Sequence, residues 1–91
     1  NSYLSVAERA IAPALYKAIT GVAEALRAGG DPGEQRRRAE AHLTEAGFGA
    51  VDYVAVRDAD TLEPVPNASR PARVLAAAWL GKVRLIDNVE I

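Results

Sequence analysis

The chain has 91 residues, with 11 Lys and Arg against 12 Asp and Glu, one His and no Cys. This length fits a single domain and excludes a two-domain enzyme, because one hydrophobic core typically occupies about 100–150 residues. The net charge of −1 argues against a general nucleic-acid binder, and the missing Cys excludes disulfides, thiolate catalysis and Cys/His zinc clusters.

Two further features of the sequence bear on the cellular location of the chain and on its completeness. No apolar run approaches the roughly 18 residues that a membrane-spanning helix needs, so we expect no membrane association. The missing Cys fits a cytoplasmic location. The chain contains no Met and begins at Asn1, so we expect a piece of a longer protein.

The first predicted element is an amphipathic helix that begins after Ser5 and runs to Gly29-Gly30. Ser5 and Glu8 have the spacing of a capping box. Large apolar residues then recur every three or four positions, as on one helical face: Ile11, Leu15, Ile19, Val22 and Leu26. Pro13 removes an amide donor and disfavours helical geometry at Ala12, so we predict a kink or break near residue 12.

A second helix is predicted over about residues 32 to 46. Asp31 is a typical N-cap, Pro32 suits the first helical position, and Gly47 is a natural C-terminal stop. The apolar face of this helix is thin, so we expect it to pack along one stripe.

The rest of the chain predicts strands. Residues 51 to 57 are rich in β-branched and aromatic side chains, and an irregular connection follows over 63 to 71. Residues 73 to 80 and 83 to 89 flank Gly81-Lys82, a pair suited to a type II′ hairpin. The predicted fold class is therefore α+β: two N-terminal helices packed on a small three-stranded antiparallel sheet.

Trp79 has two possible positions in such a sheet. Alternation along the second strand separates Trp79 and Arg73 from Val74 and its neighbours. If the helices cover the side with Val74, Trp79 lies on the open face, where it would contact a partner domain or close on a substrate. If they cover the other side, Trp79 is the largest filler of the core.

Polar residues that could carry catalysis or bind a metal are better explained structurally. His42 is expected to be a helix residue at the core margin rather than part of a triad with Ser2, Ser5 or Ser69. Asp58 and Asp60 are expected to bond their own backbone in a turn rather than hold a metal. We expect no catalytic residue and no metal site.

Charged residues on the helices and strands leave two alternatives open. Asp87 lies in an apolar strand and needs a partner, which Arg84, Arg57 or Arg73 could provide as an ion pair; a role facing a ligand is the alternative. The three arginines at 36, 37 and 38 point in different directions around a helix, and we expect a solvated face rather than a phosphate site.

Three stretches taken together resemble the C-terminal domain of the pantothenate synthetase (pantoate–β-alanine ligase) family. The resemblance covers the whole chain, and both the order and the spacing of the stretches hold. They are Asn1-Ser2-Tyr3-Leu4-Ser5 with Glu8-Arg9 and Ile11-Ala12-Pro13-Ala14-Leu15-Tyr16, Asp52-Tyr53-Val54 with Arg57-Asp58-Ala59-Asp60-Thr61-Leu62, and Ala76-Ala77-Ala78-Trp79-Leu80-Gly81 with Arg84-Leu85-Ile86-Asp87-Asn88.

The resemblance implies a longer parent enzyme, with an N-terminal Rossmann-like domain whose H-x-G-H nucleotide signature is absent here. That enzyme uses ATP and Mg²⁺ to adenylate pantoate, and β-alanine then attacks the adenylate to give pantothenate. The resemblance also implies a homodimer formed through the N-terminal domain. No cofactor is expected on the fragment alone.

The same resemblance assigns this chain the role of a lid that closes over the nucleotide-bearing domain. Asn1 matches the last position of the family's phosphate-binding Ser-Ser-Arg-Asn motif and is the one cofactor-binding residue expected here. No family catalytic residue maps onto positions 2 to 91. Four cations are candidates for favouring negative charge at the lid: Arg57, Arg70, Arg73 and Lys82.

Two other functions stay open on the sequence. The chain could be a free-standing α+β module that holds a small ligand or a protein on the open sheet face. It could also dimerise through an exposed edge strand of the sheet.

Overall fold

A computed structural model describes residues 4–64 and 71–91, which form a helical layer on one face of a three-stranded sheet. The elements in chain order are α1 (Val6–Ile11), α2 (Pro13–Arg27), α3 (Pro32–Ala46), β1 (Val51–Asp58), β2 (Ala72–Leu80) and β3 (Val83–Glu90). Both strand pairs are antiparallel, with β2 in the centre. The predicted α+β fold is confirmed, with the first helix divided into α1 and α2.

The N-terminal helix begins and is interrupted where the sequence predicts. The Glu8 amide donates to Ser5 Oγ at 3.1 Å, and the Ser5 amide donates to Glu8 Oε1 at 2.9 Å, which completes the capping box. Ala12 separates α1 from α2 but keeps right-handed helical angles of φ −49° and ψ −39°. The predicted break near residue 12 is confirmed, and it is limited to one residue.

Helix α3 has the bounds that its capping residues predict. Asp31 accepts a hydrogen bond from the Glu34 amide at 2.9 Å. At the other end Gly47 adopts φ +118°, and the Phe48 amide donates to the Leu43 carbonyl at 3.0 Å, as in a Schellman motif. The left-handed conformation favours glycine at this position.

The sheet is closed at one end by the predicted hairpin. Leu80 pairs with Val83 across Gly81-Lys82. Gly81 has φ +61°, whereas Lys82 does not have a positive φ, which is the pattern of a type II′ turn. The turn therefore sets the register of β2 against β3.

The hydrophobic core lies between the helices and one face of the sheet. Alternate β2 residues on that face are buried to 0–2% exposure: Ala72, Val74, Ala76, Ala78 and Leu80. Ile19 and Leu43, at 0% exposure, bring α2 and α3 into the same core. Because Val74 faces the helices, Trp79 points to the other side of the sheet, which confirms the first of its two possible positions.

We predict that Ser5→Ala lowers the free energy of unfolding by about 0.5–2 kcal/mol, because the Glu8 amide loses its acceptor. Ser5→Asp is the matched control, since its carboxylate can also accept this bond. Denaturant unfolding measures both variants. A midpoint for Ser5→Ala equal to that of the parent chain, at equal slope, would contradict the capping role.

Candidate functional site

The sheet face that the helices leave uncovered, here called the open face, is the candidate functional surface. The strand register arranges its side chains in rows across the sheet. One row joins Tyr53, Ala77 and Ile86, and a neighbouring row pairs Trp79 with Arg84. At the far end Arg57, Arg73 and Glu90 form the last row.

The middle of the open face is apolar and reaches solvent. Tyr53, Trp79 and Ile86 are 37%, 36% and 61% exposed, and each lies on a different strand. Ala77 is fully buried between its row neighbours, although none of the helices within residues 4–64 and 71–91 packs on this side. The three large side chains therefore form one patch around Ala77, and exposed patches of this kind mark contact sites.

Ion pairs flank this apolar patch on both sides. Arg84 Nε lies 2.7 Å from Asp52 Oδ2. Arg73 donates to Asn88 Oδ1 at 2.8 Å and to Glu90 Oε1 at 2.9 Å. These half-exposed pairs contribute little to stability. They do leave both guanidinium groups partnered within the face.

The candidate lid cations do not come together at one point. Arg57 and Arg73 lie opposite each other on β1 and β2 at the far end of the open face, whereas Lys82 is exposed in the hairpin turn at the opposite end. Arg70 lies outside the described residues. The structure therefore joins two of the four candidates, and one of those two is already bound by Glu90.

Asp58 is the last residue of β1, and Asp60 lies in the turn that follows. Asp58 is buried, and its Oδ1 accepts hydrogen bonds from the amides of Asp60 at 2.9 Å and Thr61 at 3.0 Å. This geometry confirms the turn-forming role of Asp58. Within residues 4–64 and 71–91, no group of His, Asp and Glu side chains could hold a metal ion.

The predicted ion pair of Asp87 is wrong. Asp87 pairs with Ala76 in the sheet and so faces the helical side, whereas Arg84 and Arg73 point to the open face and bind other carboxylates. Instead, Asp87 Oδ1 accepts a hydrogen bond from the Asn88 amide at 2.8 Å.

The free edge of β3 is partly blocked by side chains. The Ile91 amide donates to the Ala72 carbonyl, so the backbone N–H and C=O groups of the odd-numbered β3 residues point toward β2. The Asn88 amide therefore points away from β2, toward the free edge. The Asp87 side chain accepts a hydrogen bond from that outward amide, and the Arg27 side chain donates to the outward Glu90 carbonyl at 3.0 Å. Two backbone groups that a second strand would need are thus already bonded, which disfavours pairing at this edge.

The helical candidates are exposed. His42 is exposed and lines a cleft between α2 and α3 next to the core residues Ala18, Val22 and Ala39, so its expected position at the core margin is confirmed. The arginines at 36, 37 and 38 are all exposed, and Arg38 pairs with Glu34 one turn away at 2.9 Å. The prediction of a solvated helix face is confirmed.

The one predicted cofactor-binding residue, Asn1, lies outside the described residues. The first described residue, Leu4, is buried and lines a cleft of about 480 Å³ between the α1–α2 junction and β3. Arg9, Tyr16 and Asp87 line the same cleft.

Among the described residues, no helix is long and apolar enough to cross a bilayer.

Tyr53, Ile86 and Asp52 were not placed on the open face from the sequence. Ile86 lies on the same side of β3 as Arg84 and Asn88, and this apolar residue between two polar ones at every second position was the available signal. The Asp52–Arg84 pair had no such signal, because a register irregularity between Val51 and Tyr53 places Asp52 beside Arg84.

Comparison with known proteins gives one consistent family. Residues 1–90 match the model of the family described as pantoate-beta-alanine ligase. The chain is similar to the pantothenate synthetases of Paramagnetospirillum magneticum, at 50% identity, and of a Bradyrhizobium species, at 48%; both matches span all of this chain and 32% of the relative.

A solved structure agrees with the sequence relatives. The crystal structure of pantothenate synthetase from Thermus thermophilus matches with a TM-score of 0.85 and 36% identity, over 98% of this chain and 32% of that chain. The chain therefore spans about a third of the length of the proteins it resembles.

We predict that Trp79→Ala destabilises the chain less than Leu43→Ala does. Leu43 is fully buried, so its truncation leaves a cavity and costs about 2–5 kcal/mol. Solvent already reaches Trp79, so no closed cavity forms at that position. Denaturant unfolding compares the two variants, and a larger loss for Trp79→Ala would show that the indole belongs to the core.

Proposed function

The chain belongs to the pantoate-beta-alanine ligase family, and from this premise we propose that it is the C-terminal lid domain of a pantothenate synthetase. The observation that carries the proposal is the match of the family model over residues 1–90, together with relatives of which this chain spans about a third. A domain of a larger enzyme also accounts for a sheet with one face left open.

The parent enzyme would join pantoate to β-alanine at the expense of ATP. A pantoate carboxylate oxygen attacks the α-phosphorus of ATP, and pyrophosphate leaves. The amine of β-alanine then attacks the acyl carbon of the adenylate, an amide bond forms, and AMP leaves with the electrons of the broken C–O bond.

The proposal assigns the chemical groups of this reaction to the rest of the parent. The described residues contain no group of His, Asp and Glu side chains that could hold a metal ion, so the proposal places the Mg²⁺ site in the rest of the parent. Asn1 would contribute as the end of the phosphate-binding motif. The parent would be a cytoplasmic homodimer whose subunits meet through the other domain.

The chain's own contribution would be to cover the reaction. An acyl adenylate is a mixed anhydride that water hydrolyses, so a lid that excludes water protects the intermediate until the amine attacks. The capped helices and the closed hairpin make this domain a rigid body that can move as a unit. No side chain among residues 2–91 is proposed to take part in a bond-making step.

A free-standing binding module is the alternative function, and the exposed apolar patch of Tyr53, Trp79 and Ile86 favours it. The coding sequence before Asn1 distinguishes the two. An H-x-G-H motif followed by Ser-Ser-Arg would support the lid, whereas a start codon at or just before Asn1 would support the module.

We predict that the 91-residue chain alone forms no pantothenate from ATP, pantoate and β-alanine, whereas the full-length parent forms pantothenate and AMP in equal amounts. Chromatographic detection of both products provides the measurement. AMP formation that follows the isolated chain through purification would contradict the proposal, as would a full-length parent that consumes ATP but yields no pantothenate.

A further inference from the structure

The groove between α2 and α3, here called the α2–α3 cleft, lies on the helical layer and away from the open face. It has a volume of about 200 Å³. Lys17 lines it from α2, and Arg38 and His42 line it from α3. Beneath these polar side chains lie buried apolar residues of both helices: Ala18, Val22 and Ala39.

Helical spacing explains why the polar side chains meet at this cleft. On α3, Gln35, Arg38 and His42 follow one another at steps of three and four residues, so they lie on one side of the helix. On α2, Lys17 and Gly21 are four residues apart and line the opposite wall. Two helices thus bring a short row of donors each to the same groove.

The lining of the cleft is positively charged. It includes Lys17 and Arg38 but no Asp or Glu among the residues that the structure describes. Arg38 pairs with Glu34 at 2.9 Å, yet these side chains are 70% and 50% exposed, and such pairs contribute little to stability. None of the ion pairs within residues 4–64 and 71–91 includes Lys17. An anion in the cleft would therefore meet two cations without breaking a strong pair.

Gly21 is the second feature of the cleft, and packing does not explain it. Glycine is less favourable than Ala inside a helix, and Gly21 lies in the middle of α2. A Cβ at this position would meet nothing within 4 Å beyond the local helix, and the positive-φ glycines do not include Gly21. Neither a close neighbour nor the backbone conformation requires glycine here. Its missing side chain leaves the cleft open beside Lys17.

Volume and donor types indicate the class of ligand. Sites that enclose drug-sized molecules measure about 300–1,000 Å³, so the α2–α3 cleft fits a smaller group. The compact ammonium of Lys and the planar guanidinium of Arg are the side chains that proteins use to bind phosphoryl oxygens. The amide of Gln35 provides a further, neutral donor.

We propose that the α2–α3 cleft binds a small phosphoryl anion, with Lys17 and Arg38 as its charged ligands. Arg36 and Arg37 do not line the cleft, because successive helical residues point about 100° apart, and they stay in solvent. No residue of this site lies on the open face, so the site does not depend on the proposed function.

An NMR titration of His42 tests the proposal. His42 is the only His of the chain, so its ring C–H signals are unique. Pyrophosphate is added to the 91-residue chain at constant pH, and sodium chloride at matched ionic strength is the control for screening. We expect the His42 signals to shift saturably with pyrophosphate, and to shift less and without saturation with chloride. Equal responses to the two salts would overturn the proposal.

Substitutions at Gly21 test the charge of the cleft without disturbing the core. Gly21→Glu places a carboxylate in the cleft, and Gly21→Gln is the neutral control of equal size. Both side chains favour a helix and have open space, so both variants are expected to fold. We expect Gly21→Glu to bind pyrophosphate at least about tenfold more weakly than Gly21→Gln, because like charges repel at short range. Equal affinities would contradict an anion site.

Two arginines of the same helix separate a site from general surface charge. Arg38→Gln removes a proposed ligand, whereas Arg37→Gln removes the same charge outside the cleft. We expect Arg38→Gln to weaken pyrophosphate binding and Arg37→Gln to leave the affinity within about twofold, because salt screens distant surface charges. An equal loss in both variants would overturn the proposal.

Inorganic phosphate and AMP, titrated in the same way, distinguish two sources of the anion. Binding of both supports a site for the phosphoryl end of a larger molecule, and binding of phosphate alone supports a site for the free ion. Circular dichroism checks that the chain is folded. If it is not, the full-length parent is titrated, and the signal that His42→Gln removes identifies His42. A His42 signal that does not respond to pyrophosphate there would overturn the proposal.

Discussion

The packing of helices on a single face of the sheet is the constraint on which the rest of this structure depends. The helix-facing residues of β2, from Ala72 to Leu80, are at most 2% exposed. Helices α2 and α3 supply Ile19 and Leu43 to the same core, with both residues fully buried. Since side chains alternate along a strand, this packing leaves every second residue of the sheet without a helix above it.

That one-sided packing divides the polar residues of the sheet into two groups. Arginines at 73 and 84 lie on the open face and bind carboxylates there. Asp87 lies on the opposite side and bonds the neighbouring Asn88 amide. The position of a charged residue in the alternation, more than its proximity in sequence, therefore decides which partner it can reach.

Local signals in the sequence predict most of the elements, because each depends on residues within one or two turns. The capping box of Ser5 and Glu8, the N-cap Asp31, the left-handed Gly47 and the hairpin at Gly81 all occur where their residue types indicate. The packing of α2 under β2 also follows from its apolar stripe.

Features that depend on the tertiary arrangement were less predictable. To judge the ion pair expected for Asp87, one must know toward which side of the sheet each β3 side chain points. Those sides follow from the register that the hairpin sets. The Asp52–Arg84 contact depends on an irregularity in the register of β1, and no residue type in that strand predicts such an irregularity.

The helices cover the Val74 side of the sheet and leave the Trp79 side open. Trp79 is the only Trp of the chain, so its fluorescence reports on that side alone. We expect acrylamide to quench this emission in the native chain, at a rate intermediate between that of a buried indole and that of the unfolded chain. A blue-shifted emission that acrylamide quenches only after the chain unfolds would show instead that Trp79 lies in the core.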